Sequence, residues 1–356
     1  MVLIIFVIYS IISSFLTYFS LKTATKFNIV DNPNSAPGRK FQKSPVPLLG
    51  LVGIVVSNIL LMSLFWLALK FDWLHLQNYL QNGLFYTFNL FWVLIGGLII
   101  YIAGCLDDKY NLNPKYYFGA IFVGLLVAVK LGGLKIEAFS YPFDSLNLRL
   151  GFIPQLLAFV WIGACLTATK FLDGLDGLVT SVGVVSFLGI AAIAAMSNVN
   201  QPLIGIFALI WSSSLVGFLW HNFPEAKVYL GDGGSTIIGF MIGSLSILSG
   251  AKVATSSTVI GWFILDIGLV MLVRIIRAGR LSAILSGDAK LHWHHRLTQM
   301  GFSKLQVLVI TGMVITTTSQ LGIRINTENK FYILISVAAV LITIFLISLG
   351  LSRKKK

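Results

Sequence analysis

The residues best equipped for chemistry in this chain are aspartates set at the ends of long apolar runs. Asp107 and Asp108 close one run, Asp173 and Asp176 lie between two others, Asp232 opens another, and Asp266 sits just inside one. A carboxylate near lipid depth costs several kcal/mol and is kept there for a reason. Two adjacent carboxylates repel, so Asp107-Asp108 favours a bound cation or a raised pKa, although a solvated helix end before Asn113-Pro114 reads the same way. In TKFLDGLDGL the i, i+3 spacing places Asp173 and Asp176 on one face of a helical turn, and Gly174 and Gly177 admit close approach by a ligand or backbone. The plain alternative is a glycine-rich interhelical loop. In VYLGDGGSTIIGF, Asp232 stands among Gly231, Gly233 and Gly234 at a helix start. Free N–H groups there suit phosphate, and an aspartate can hold Mg²⁺ against the same phosphate oxygens. An ordinary tight turn with an N-cap has the same outline.

Basic and aromatic residues add to this set. The stretch LHWHHRLTQMGF carries His292, His294, His295 and Arg296. Zinc usually requires HxxxH spacing or cysteine partners, and neither occurs, so contact with phosphate fits better. An interfacial helix anchored by Trp293 is compatible with that reading. In APGRKFQKSPVPLLG, Arg39, Lys40 and Lys43 precede Pro45 and Pro47, which stiffen entry into the next run.

The elements that must position these groups are membrane spans. Of 356 residues 56% are hydrophobic and 11% are charged, against about 25% charged in a soluble domain. Apolar stretches of suitable length predict an all-α, polytopic membrane protein with eleven helices, near 1–21, 46–69, 88–106, 116–132, 152–169, 177–196, 202–220, 233–250, 256–275, 304–322 and 331–351. The whole of 1–356 reads as one transmembrane domain. The net charge of +13 is topology-setting charge on loops rather than a nucleic-acid surface. With the N-terminus outside and the C-terminus in the cytoplasm, 19 of the 26 Lys and Arg residues fall inside. That orientation, chosen from basic residues alone, puts loops 22–45, 107–115, 170–176, 221–232 and 276–303 on the cytoplasmic face together. The outer segment 133–151 alternates around Tyr141-Pro142 and predicts a small β-hairpin. Cys105 and Cys165 lie inside spans and form neither a metal spacing nor a disulfide framework.

Taken together and in order, RKFQKSPVPLLG, Asp107-Asp108, FLDGLDGL, HNFPEAKVYLGDGGS, the Asp266 span leading into Arg274, and HWHHRL resemble the polyprenyl-phosphate N-acetylhexosamine-1-phosphate transferase family, bacterial glycosyltransferase family 4. The resemblance covers about Asp31 to Gly301. It implies a ten- or eleven-span fold and transfer of a sugar 1-phosphate from a UDP-sugar to undecaprenyl phosphate, releasing UMP with Mg²⁺ or Mn²⁺. It implies Asp232 and Asp108 as metal ligands, and Asp107-Asp108 with Asp232 as the catalytic carboxylates. It implies Asp173, Asp176, Asn222, His294, His295, Arg296, Arg39 and Lys40 as substrate contacts; Lys170, three residues before Asp173 and so on the same face of a helical turn, is expected from its own charge and spacing to bind the diphosphate. It also implies the bacterial cytoplasmic membrane as location and a homodimer as a common assembly. Three departures stand out: Lys170 replaces the usual Asn, Gln42 a common His, and Leu51 a second Gly.

HWHHRL is closer to the branch using UDP-N-acetylglucosamine than to the phospho-MurNAc-pentapeptide translocase, whose three consecutive His precede Phe-Glu. A secondary transporter is the competing class. It would place ionisable groups near mid-membrane on broken helices, and only Asp266 lies within a span.

Overall fold

The computed structural model describes residues 2–27, 29–31, 45–71, 84–137, 151–197, 199–249, 253–278, 291–324 and 327–354. Arg39, Lys40, Gln42 and Lys43 lie outside them. The long helices are α1 (Val2–Lys26), α2 (Gly50–Lys70), α3 (Leu84–Tyr110), α4 (Pro114–Leu126, continued by a π-helical turn Val127–Leu131), α5 (Ile153–Leu172), α6 (Leu178–Ala194), α7 (Pro202–Asn222), α8 (Gly231–Leu248), α9 (Val253–Ala278), α11 (Lys304–Arg324) and α12 (Thr327–Lys354). A short helix, α10 (Trp293–Gln299), precedes α11. Each of the eleven expected spans coincides with one long helix.

Local chemistry sets several boundaries. Proline opens α4, α5 and α7, where a missing N–H costs nothing. Asn113 accepts a hydrogen bond from the Lys115 N–H at 3.1 Å and caps α4.

The bundle is sorted by polarity in the sense a bilayer requires. α8, rich in Gly and Ser, is its axis: 89% of its span is buried, and it packs against α3 and α5. Small residues allow that close approach where lipid supplies no hydrophobic drive between helices. α1 is peripheral, with 11% of its span buried. Its large apolar side chains, such as Ile4, Ile11 and Phe15, face outward, while Ser13, Thr17 and Ser20 face inward. Ser13 donates to the Ser214 carbonyl at 2.7 Å and Ser20 to the Leu49 carbonyl at 2.7 Å.

The predicted hairpin falls mostly outside the described residues. Residues 133–137 carry no strand, and 138–150 lie outside the described residues. Among the described residues an antiparallel pair joins β1 (Val30–Asp31) to β2 (Val46–Pro47), in register Val30 to Pro47 and Asp31 to Val46. Tyr229 donates its N–H to the Pro47 carbonyl at 2.8 Å, and Gly50 donates to the Tyr229 carbonyl at 3.2 Å. The segment around Pro45 and Pro47 therefore docks on the loop that leads into α8. Pro47 suits this place because only its carbonyl is used.

Candidate active site

The aspartates converge where the C-terminal ends of α3 and α5 meet the N-terminus of α8. Asp108, in the last turn of α3, accepts the Asp232 N–H at 2.9 Å and caps α8 from a neighbouring helix. The approach requires glycine twice. Gly231 has φ +74°, and a Cβ on it would collide with Asp108 Oδ2; a Cβ on Gly104 would collide with the Gly233 Cα. The Asp108 carboxylate thus engages the α8 terminus beside Asp232. Asp107 accepts the Leu112 N–H at 2.9 Å and steadies the turn after α3.

Asp232 projects outward from this platform. Its Oδ2 is 3.0 Å from Lys170 Nζ, with Asp232 half-exposed. The ammonium lies 4.3 Å from the ring centroid of Tyr117, whose hydroxyl is 2.8 Å from Thr236 Oγ1. Tyr117 and Thr236 escaped the sequence reading. A tyrosine near the start of a helix that follows the Asp-Asp turn was the available signal.

The doubled Asp-Gly motif is not a helical turn. α5 ends at Leu172, and Asp173 leaves the helix with ψ 52°. The two carboxylates then part. Asp173 lies within hydrogen-bond reach of Ser235 and feels the Asp232 charge. The protein atoms ringing its carboxyl come first, and the Asp232 charge second, in pushing its pKa up to about 7, although the residue remains open to solvent. Asp176 pairs with Lys304 Nζ at 3.0 Å, a lysine read from sequence only as topology charge.

Asn222, expected at the substrate, has its amide engaged by protein. Its oxygen accepts from the Gly177 N–H at 3.1 Å and from Thr180 Oγ1 at 2.8 Å, and its nitrogen donates to the Val228 carbonyl at 2.9 Å. It ties the Asp-Gly loop to the end of α7.

The histidine stretch enters the bundle. Asp266, buried in α9, lies 2.9 Å from His292 Nδ1 and accepts the Trp293 N–H at 3.1 Å. His292 stacks on Phe171 and on His294. The rings of His294 and His295 rest against Gly174; a Cβ there would stand 3.2 and 2.9 Å from their Nε2 atoms. His294 is fully buried, with no hydrogen-bond partner for either ring nitrogen among the described residues. Burial, then the neighbouring His295 and His292, lowers its pKa well below the usual histidine value. Arg296 departs from expectation: its Nε donates to the Leu291 carbonyl at 2.7 Å, and its guanidinium lies 3.7 Å over the Phe345 ring. Its position on α10 turns it toward α12, where Nη1 donates to the Phe345 carbonyl at 3.3 Å.

Among the described residues no group of three or more His, Cys, Asp or Glu closes on a point that would hold a metal. The available donors are hard carboxylate oxygens, which fit Mg²⁺ or Mn²⁺ bound through one or two carboxylates and substrate phosphate. An apolar cavity of about 260 Å³ between α2, α3, α7 and α8, lined by residues such as Val55, Leu98 and Met241, contains none of these groups.

The comparison with known proteins decides the family. A relative in Bacillus subtilis (strain 168), named a probable undecaprenyl-phosphate N-acetylglucosaminyl 1-phosphate transferase, is 31% identical over 296 residues, 81% of this chain and 75% of its own. The chain belongs to glycosyl transferase family 4. The description of that family matches residues 90–250, which hold Asp107, Asp108, Lys170, Asp173, Asp176, Asn222 and Asp232. This family 4 chain is also 26% identical to the undecaprenyl-phosphate alpha-N-acetylglucosaminyl 1-phosphate transferase of Escherichia coli (strain K12), over 86% of this chain and 79% of that one. It is 27% identical to the decaprenyl-phosphate N-acetylglucosaminephosphotransferase of Mycobacterium leprae (strain TN), over 65% of this chain and 63% of that one. The histidine stretch of this family 4 member lies beyond the matched residues but is held against the Asp-Gly loop within them.

Proposed function

We propose that this chain transfers N-acetylglucosamine 1-phosphate from UDP-N-acetylglucosamine to undecaprenyl phosphate, releasing UMP. The observation that carries the reading is the cluster of Asp107, Asp173 and Asp232 around Lys170, at the glycine-rich N-terminus of the central span. The names of the relatives support the acceptor and the sugar. In the reaction, an oxygen of the lipid phosphate attacks the phosphorus that carries the sugar. The bond from that phosphorus to the bridging oxygen breaks, and its electrons leave with UMP.

Such a transfer requires mainly positioning and charge neutralisation. Asp232 would hold the divalent cation, which, when bound, neutralises diphosphate charge. Lys170 supplies a mobile point charge to a phosphate oxygen. Asp108 keeps the α8 terminus in place through its backbone contact. Asp173, within hydrogen-bond reach of Ser235, shapes the nucleotide end. His294 and His295 lie against Gly174 and reach the same loop. A long lipid substrate accounts for a polar site at the end of membrane spans. We place the site on the cytoplasmic side of the bacterial inner membrane.

The test is incubation of the purified chain with UDP-N-acetylglucosamine, undecaprenyl phosphate and Mg²⁺, with UMP as the readout. UMP release that needs both substrates and stops with EDTA supports the proposal. Release that survives EDTA unchanged removes the metal from it, and no release with any lipid phosphate removes the transfer itself.

A further inference from the structure

Lys170 departs from the family pattern, since the position usually carries Asn. Its seat is well defined. The ammonium is 3.0 Å from Asp232 Oδ2 on one side and 4.3 Å from the Tyr117 ring centroid on another. Tyr117 is fixed in turn by Thr236. Asp107 and Asp173 both feel the lysine charge. An ammonium has three donors and no lone pair, so Lys170 cannot be a metal ligand while protonated. A divalent cation on the same carboxylate would meet a like charge 3.0 Å from Oδ2. The two cations therefore compete for Asp232.

We propose that Lys170 is a displaceable counter-ion, which occupies Asp232 in the substrate-free protein and yields it to a divalent cation when a nucleotide diphosphate takes the ammonium. The proposal rests on the reading of Asp232 as the carboxylate that holds the metal. The side chain suits the task. A flexible four-carbon stem moves a point charge without moving the backbone of α5, and the lysine is already about one-third exposed to the space where a ligand would arrive. An asparagine here carries no charge to exchange. The device makes cation and nucleotide bind with positive coupling, and by linkage each strengthens the other by the same factor. It also keeps an open carboxylate cluster neutralised between turnovers.

The experiment is a titration of Mn²⁺ into the purified full-length chain in detergent, with free Mn²⁺ read by electron paramagnetic resonance. It is run with and without UDP-N-acetylglucosamine, for wild type, Lys170→Met, Lys170→Asn, Lys170→Arg and Asp232→Asn. The Asp232→Asn titration supplies the background, including Mn²⁺ held by the nucleotide in solution. Wild type is expected to bind Mn²⁺ about tenfold more tightly with the nucleotide than without it. Lys170→Met and Lys170→Asn are expected to bind Mn²⁺ about tenfold more tightly than wild type without nucleotide, and to lose most of the coupling. Lys170→Arg is expected to keep weak binding without nucleotide, because it keeps the charge. Wild-type Mn²⁺ affinity in both neutral variants without nucleotide overturns the counter-ion role and leaves the metal reading standing. Mn²⁺ binding unchanged in Asp232→Asn overturns the metal reading and the exchange together. Lys170→Asn introduces the usual family residue, which guards against a variant that simply fails to fold.

Discussion

Asp232 meets several demands with different atoms. Its N–H donates to Asp108, its carbonyl accepts from Thr236 Oγ1 at 2.6 Å, and its carboxylate faces Lys170. Asp232→Asn keeps both backbone contacts and removes one charge. It is expected to fold normally and to lose at least ~10²-fold in turnover, as other preorganised electrostatic contacts do. UMP release beside a thermal unfolding curve checks this, and a near-normal rate would take Asp232 out of the metal's place. Asp108 calls for the opposite reading. Its contact is with a helix terminus, so Asp108→Ala is expected to lower stability by about 1 kcal/mol, the usual cost of a lost N-cap. Asp108→Asn, which keeps an acceptor oxygen, is expected to cost less. Thermal unfolding of the two variants side by side decides; equal losses would mean the charge, not the cap, is what matters.

At the scale of elements, a buried carboxylate anchors the start of α10 to α9. Asp266 is 2% exposed and receives two hydrogen bonds from residues 292 and 293. This pairing within the protein also argues against Asp266 as part of a mid-membrane ion path. Asp266→Ala leaves His292 and the Trp293 N–H without their partner, at about 1–3 kcal/mol for each buried group stranded. The expected result is a large drop in thermal stability and loss of turnover together. A stable variant with full activity would show that α10 does not depend on this anchor. The same element predicts a pH effect. The His294 pKa is lowered in the folded state, whereas an unfolded histidine takes its proton at about pH 6.5. Below that pH the unfolded chain binds more protons than the folded one, so stability falls as pH falls. His294→Phe is expected to flatten the decline in unfolding temperature between about pH 6.5 and 5. An unchanged decline assigns it to other groups.

For the whole molecule, the eleven spans expected from the sequence predict termini on opposite faces. The charge distribution predicts the N-terminus outside and the C-terminus inside. A cysteine introduced in segment 133–151 is expected to react with an impermeant reagent from outside, and one near Ser286 is expected to be protected until the membrane is opened. External labelling near Ser286 would overturn both the topology and the cytoplasmic site. The shared end of the bundle does not depend on that orientation. Asp108 meets Asp232 across 124 residues, and Lys304 meets Asp176 across 128.

The spans and the ordered motifs were determined by the sequence alone, because a bilayer imposes its thickness on each helix whatever its neighbours are. The place of the other aspartates was legible for a related reason, since a charge facing lipid is costly and gathers near helix ends, whereas Asp266 is kept within α9 by its buried partners. Which groups meet was decided by tertiary structure. It depends on where each helix stops and how it is rotated about its axis. α5 stops at Leu172, one residue before the Asp-Gly motif, and this sends Asp173 toward Ser235 and Asp176 toward Lys304 instead of along one helical face. The rotation of α10 buries His294 beside Gly174 and turns Arg296 onto Phe345. Lys170 was already expected at the diphosphate from its spacing to Asp173, but that Asp232 lies within 3.0 Å of it was decided by the packing of α8 against α5. Direction and contact of this kind come from packing between distant helices, and no periodicity within one helix encodes them.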